Sequence, residues 1–254
     1  MGTLGQDLRY GFRMLRRNPG FTTVAVLTLA LGIGANTAIF SLLDALLLKS
    51  LPGVKDPQQL VLVTVNGWPN LSYPLYENLR DNSQSFAGLF ASAGISKRTM
   101  RVVGSGAVEE VPVWNQAVSG NFFSVLGARA ILGRTLTPDD DRSGAHQPVA
   151  VISYDFWERR FGRDPAVLGK TVTLGEVPLT IVGVASREFL GFVVGNRPDL
   201  WWPVRMVPQV QAWDDALTEG GSQWLQIAGR LKPDVVEAQA QDELGMVFDP
   251  PSTP

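Results

Sequence analysis

The sequence predicts an α+β protein: an N-terminal transmembrane helix followed by a mixed α/β domain of hairpins and short helices. Two observations predict it. No charged residue interrupts Phe21–Ser41. Past Pro52, short strand-like and helix-like stretches alternate, with glycine and proline at their boundaries. No fixed-period repeat or low-complexity tract breaks that alternation.

Residues 1–20 form the first element. Leu4, Leu8, Phe12 and Leu15 recur at helical spacing, and the arginines lie elsewhere on the wheel. Such a segment can lie in the headgroup layer with Arg13, Arg16 and Arg17 at the lipid interface. A short, loosely ordered basic lead-in stays open as the alternative, because helices this short are marginal alone. Asn18-Pro19-Gly20 is expected to break the chain before the next element.

Residues 21–48 read as a membrane-spanning helix that extends outward. Phe21 to Leu42 gives roughly 33 Å at the helical rise, against a hydrocarbon core of about 30 Å. Asp44 then falls at or beyond the interface, where its charge is tolerated. A cleaved signal peptide and a buried core helix are the competing readings. The run exceeds a signal's apolar region of about 7–15 residues, and Asp44-Ala45-Leu46 is a poor cleavage site. A soluble core helix is ordinarily shorter and has a polar face. Arg9, Arg13, Arg16 and Arg17 before the span place the N-terminus on the cytoplasmic side and the remainder outside. Ala30, Gly34 and Ala38 recur every fourth residue, a small-residue stripe suited to close helix packing. Ordinary membrane-helix composition explains that stripe equally well.

The outer region is expected to occupy residues 49–245, with a disordered tail over 246–254. Gln59–Val65 reads as a buried strand. "SYPLYENLRDN" reads as a helix capped by Ser72 with Pro74 in its first turn. Two strands flank Gly104-Ser105-Gly106, with Glu109-Glu110 as solvated turn residues. Asn121–Leu126 is a short helix stopped by Gly127. "PVAVIS" is a strand running into the helix "YDFWERRF", which Gly162 ends. Asp164 and Pro165 open another short helix, and Gly169 ends it. "KTVTL" and "LTIVGVA" form a hairpin around Gly175, "WLQIAGRL" is a further strand, and Pro233 opens a last helix. Core packing is expected for most tryptophans, whereas "DLWWPV" suits either the core or a surface patch.

Several functions are disfavoured. Net charge is −2, so no basic surface argues for nucleic acid. There is no cysteine and one histidine, His146, which removes thiolate chemistry and multi-histidine metal sites. "GRDPAVLGKT" ends like a phosphate-binding loop, but Asp164 stands where the first glycine is required, and its charge repels phosphate. Asp139-Asp140-Asp141 lack the ligand spacing of a calcium loop and read as an exposed helix start or acidic loop. No serine sits in a nucleophile setting. No catalytic residue, cofactor site or metal site is expected, and the chain is read as a non-enzyme.

"DLRYGFRMLRRNPGFTTVAVLTLALGIGANTAIFSLLDALLLKSLP" closely resembles the start of MacB/FtsX-like ABC-transporter permeases of the large-permease subgroup. "NFFSVLGARAILGRTLTPDDD", "PVAVISYDFWERRFGRDPAVLGKTVTLGEVPLTIVGVA" and "GRLKPDVVEAQAQDEL" resemble that family's periplasmic core domain. The likeness covers roughly Asp7 to Leu244 as many ordered words. "GEVPLT" stands where the family tends to have Asn-Gly in the hairpin turn. The resemblance implies a separate cytoplasmic ATPase, further permease helices or a second permease copy as partners, and a periplasmic domain that moves partners or substrate. It also implies later spans and further strands, so the chain is expected to be a truncated permease or a fragment. Membrane lipid is the remaining partner, and the bacterial inner membrane the expected location. A stand-alone, single-span binding module is the alternative; an anchored hydrolase is a third reading without a nucleophile to support it.

Overall fold

The computed structural model describes residues 20, 23, 28, 30, 51–103, 108–142, 148–193 and 195–248. The chain divides into two compact units, Met1–Lys49 and Ser50–Pro254. In the first, Gly20, Thr23, Thr28 and Ala30 are helical and exposed. Gly20 is thus already in a helix and is not part of a break; proline is compatible with a first helical turn. Among the described residues, no helix is long and apolar enough to cross a membrane. The expected span over 21–48 lies outside them, apart from Thr23, Thr28 and Ala30.

The second unit is built on a mixed sheet. β1 (Leu60–Val63) leads through β2 (Asn70–Leu71) and α1 (Tyr73–Asn82) to β3 (Phe86–Ala93). β4 (Ser96–Val103), β5 (Val108–Val118), α2 (Phe122–Leu126), β6 (Ala130–Gly133), β7 (Val149–Ile152) and α3 (Tyr154–Phe161) follow. Then come β8 (Thr171–Leu174), β9 (Val177–Ala185), β10 (Leu200–Pro203), α4 (Val207–Gln211), β11 (Leu225–Leu231) and α5 (Glu237–Phe248).

Pairing divides the sheet into two regions. β5, β10, β7, β9, β8 and β4 pair in turn, and β4 also pairs β5, so these strands close into a ring. Closure removes free edges within the ring. β1, β11 and β3 form an open wing in that order, all antiparallel to their neighbours. β1 and β3 therefore run parallel with β11 between them, and α1 is the crossover of a split β-α-β unit. The ring lies in the chain between β3 and β11.

Alternation along the strands builds two cores, because successive side chains point to opposite faces. Ala150, Ile152, Trp202 and Ile227 enter the larger cluster. Val149, Val151, Trp201 and Ala228 enter the second, beneath Phe122, Phe123 and Leu126 of α2. Phe122 meets Phe90 edge-on at 5.1 Å, and Phe189 lies 5.3 Å from Trp201. The Trp202 indole donates to Asn115 Oδ1 at 3.0 Å, which satisfies its buried N–H. "DLWWPV" is thus core, not surface.

Local signals explain the helix boundaries. Gly127 and Gly162 end α2 and α3 in the left-handed region, at φ 70° and 57°. Ser153 Oγ accepts from Phe156 N at 3.1 Å and caps α3. Ser72 stands at the N-cap of α1, but its side chain makes no cap bond. Residues Pro165–Val167 form a 3-10 helix, with Asp164 accepting from Ala166 N at 2.9 Å.

Other expectations change. β1 is shorter than Gln59–Val65 and half-buried, because it lies at the edge of the wing. Glu109 and Glu110 belong to β5 and are exposed there. Pro233 and Asp234 form a turn, closed by Val235 N to Lys232 O at 3.1 Å, and α5 begins at Glu237. The acidic run 138–141 is a 3-10 helix start with a Thr137–Asp140 capping box. Burial pushes the Asp140 carboxyl up, but bonds from Arg134 and Thr137 outweigh that and hold it below its usual range.

Asp141 stitches distant segments together. It accepts from Gly120 N and from Arg205 N, each at 3.1 Å. The Arg205 guanidinium lies 2.6 Å from Glu77 Oε1 and 5.3 Å from the Tyr73 ring centre. Burial raises the Asp141 pKa to about 6, against the opposing pull of those N–H groups and of Arg205 and Arg80. The folded state therefore holds a proton that the unfolded chain releases near pH 4. This group's contribution to stability is full below about pH 4 and declines as pH rises to about 6. Asp141→Asn is expected to abolish that decline. Urea unfolding at pH 4.5 and 6.5 should show wild type losing roughly 1–3 kcal/mol relative to the variant across the interval.

Candidate functional site

The point where the chain enters the second unit is built as a clamp. Residues 51–59 make a turn, Val54 N to Leu51 O at 3.1 Å, then the 3-10 helix Pro57–Gln59. Lys55 N donates to Leu126 O at 2.9 Å, which satisfies a carbonyl at the end of α2. Val54 packs against the second core cluster.

Arg230, on β11, closes the clamp. Its Nε donates to Val125 O at 2.9 Å and its Nη1 to Asp56 O at 3.0 Å. Its Nη2 donates to Lys55 O, and Nη1 also reaches Gln59 Oε1 at 3.4 Å. Arginine suits this position because its planar fork presents several fixed donors at once. β11 is the central strand of the wing, bonded on both sides. The entering chain is thus tied to a strand that is paired on both sides.

Two glycines allow the close approach. Gly53 has φ +73°, and a Cβ there would lie 2.7 Å from the Phe189 backbone. Gly127 has φ +70°, and a Cβ there would lie 2.6 Å from Lys55 Cβ. A side chain at either position would force the segment off α2 or off the Phe189 loop.

The C-terminal helix is fastened as well. Glu243 of α5 accepts from Gln84 N at 2.5 Å and Ser85 N at 2.8 Å, just before β3. Burial alone would raise the Glu243 pKa; the bonds from Ser85 and Gln84, with Lys232 nearby, outweigh it and hold it below its usual range.

The residues selected from the sequence lie elsewhere. Ala30 is helical and exposed. Gly34, Ala38, Arg13, Arg16, Arg17 and His146 lie outside the described residues. Among the described residues, no group of His, Cys, Asp or Glu could hold a metal ion. Nothing in the sequence around Arg230 marks it, because its partners lie 105 to 175 positions away. Gly127, by contrast, was legible as a helix stop.

Arg230→Gln is expected to destabilise the domain by about 2–3 kcal/mol, the scale of charge-assisted bonds left unmade. Arg230→Lys should restore little of it, because one ammonium cannot serve Val125, Asp56 and Lys55 together. Chemical denaturation checks the magnitude. Hydrogen exchange should show the Lys55 amide losing protection in both variants.

Comparison with known proteins agrees with this architecture. The MacB-like periplasmic core domain family matches residues 22–247. The macrolide export ATP-binding/permease protein MacB of Pasteurella multocida is 31% identical over 130 residues, covering 50% of this chain and 18% of that protein. A probable syringafactin export ATP-binding/permease protein of Pseudomonas syringae is 33% identical over 86 residues, covering 34% and 13%. The chain thus matches less than a fifth of these relatives' length. The crystal structure of the periplasmic region of MacB from Actinobacillus actinomycetemcomitans superposes with a TM-score of 0.54 at 19% identity, covering 74% of this chain and 80% of that one. A domain of a putative permease from Porphyromonas gingivalis also gives 0.54, at 18% identity, with 71% and 77% covered. The chain belongs to the MacB-like periplasmic core domain family, and with it to the MacB/FtsX-like ABC-transporter permeases.

Proposed function

We propose that this chain is the anchor and outer domain of a MacB-type permease, coupling a separate cytoplasmic ATPase to motion of protein partners outside the membrane. Family membership over residues 22–247 is the observation that carries this reading. The relatives described above are named as ATP-binding/permease proteins. ATP hydrolysis is assigned to a partner, because "GRDPAVLGKT" places Asp164 where a phosphate-binding loop needs glycine.

The role is mechanical. Residues 21–48 cross the bilayer with the N-terminus in the cytoplasm, and the outer unit lies on the periplasmic side. Displacement of that helix reaches the wing through the Lys55–Asp56 backbone and Arg230. The chain performs no bond chemistry itself. Ala30, Gly34 and Ala38 pack against other permease helices or a second copy, and Arg13, Arg16 and Arg17 sit at the lipid headgroups.

The affinity-tagged chain should stay in the membrane pellet after alkaline carbonate, and an ABC ATPase should co-purify with it. Gly34→Leu should lower recovery of membrane partners several-fold while leaving insertion intact. Release into the supernatant would overturn the anchor. Recovery of the intact chain with no ATPase would favour a stand-alone binding module, and unchanged yield from Gly34→Leu would remove the packing stripe.

A further inference from the structure

A cleft of about 270 Å³ opens beside the N-terminus of α3, between that helix and residues 187–190 and 197–199. Its walls carry three guanidinium groups, from Arg159, Arg187 and Arg197, and two carboxylates, from Asp155 and Asp199. Trp114 and Tyr154 supply aromatic surface. None of these residues takes part in the clamp around Arg230.

The charges are unequally matched. Asp199 is 7% exposed and fully engaged. Its Oδ1 lies 2.8 Å from Arg159 Nη2, and its Oδ2 accepts from Trp114 N at 2.9 Å. Its own N–H donates to Trp114 O at 2.6 Å. Asp155 stands 3.9 Å from Arg197, with both side chains well exposed, so that pair is loose. Arg187 has no carboxylate within ion-pair distance among the described residues. Its guanidinium is held 5.4 Å from the centre of the Tyr154 ring. One surplus positive charge therefore remains, on a side chain oriented by an aromatic face.

The cleft is also organised in advance. Asp199 fixes Arg159 and the Trp114 backbone together, while the Trp114 side chain stays 47% exposed at the rim. Arg159, held by Asp199, and Arg187, held over Tyr154, lose little side-chain freedom when a ligand arrives beside the exposed indole. A carboxylate facing Arg187 would gain charge-assisted bonds, and the residue that carries it would cover Trp114.

We propose that this cleft binds an acidic peptide segment of a protein partner, with one carboxylate seated on Arg187 and the adjoining side chain against Trp114. Charge complementarity selects the ligand: the surplus is a single positive charge, and the polar rim with its indole favours a peptide over a free ion.

The test uses the full chain in phosphatidylcholine nanodiscs, which present no net anionic lipid. A blocked hexapeptide containing Glu beside Phe is titrated while tryptophan fluorescence is followed. Binding should saturate at 50 mM salt and weaken at least fivefold in 0.5 M salt. Arg187→Gln, at an exposed position, should weaken it about tenfold with unchanged unfolding midpoint. Trp114→Ala should weaken it too, while Arg101→Gln on β4 should leave it unaltered. The Gln-for-Glu peptide should not bind. Absence of saturation up to millimolar peptide, or equal affinity in Arg187→Gln, would overturn the proposal. Displacement of the peptide by equimolar inorganic phosphate would overturn it in favour of a general anion site.

Discussion

A single guanidinium joins the entering chain to the interior of the sheet. Arg230 gathers the carbonyls of Lys55, Asp56 and Val125, groups from two segments that share no regular pairing. Removing it would leave those oxygens to water and would free residues 51–59 from β11. The rest of the arrangement depends on this constraint. In the same segment Val54 reaches the second core, Lys55 completes the end of α2, and Gly53 lies against the Phe189 backbone.

The ring and the wing make the clamp useful. A closed ring of strands resists shear because no strand can peel from an edge. The wing continues from it through β3 and is braced by Asp141 and Arg205 near α1. At residues 55 and 56 the backbone is tied through Arg230 to β11, which is paired with β1 and β3. For the mechanical role proposed above, such a path would carry displacement rather than dissipate it.

Much of this framework was legible in the sequence, where the cause was local. Gly127 and Gly162 end helices because only a residue without Cβ adopts the left-handed turn cheaply, and both are legible as stops. The hairpin about Gly175 was read for the same reason. Strands with weak local signals were missed. β3, "FAGLFASA", carries small residues where strands usually carry β-branched ones, and α2 packs on it through that smallness; a Cβ at Gly88 would lie 2.8 Å from Val125. β10 is four residues long and ends in proline, so its two buried tryptophans read equally well as surface. Pro233 misled because proline begins turns as readily as helices. The clamp was illegible altogether. Its geometry depends on bringing β11 beside residues from the start of the domain, and nothing near Arg230 marks that meeting.

Forced unfolding tests the clamp most directly. The chain has no cysteine, so Pro52→Cys and Asp242→Cys supply unique attachment points for pulling. If residues 51–59 are clamped, extension should stay short until one cooperative rupture of the whole domain, and Arg230→Gln should add an early low-force release of that segment. Peeling of residues 51–59 at low force in the wild type, ahead of the main rupture, would contradict the account.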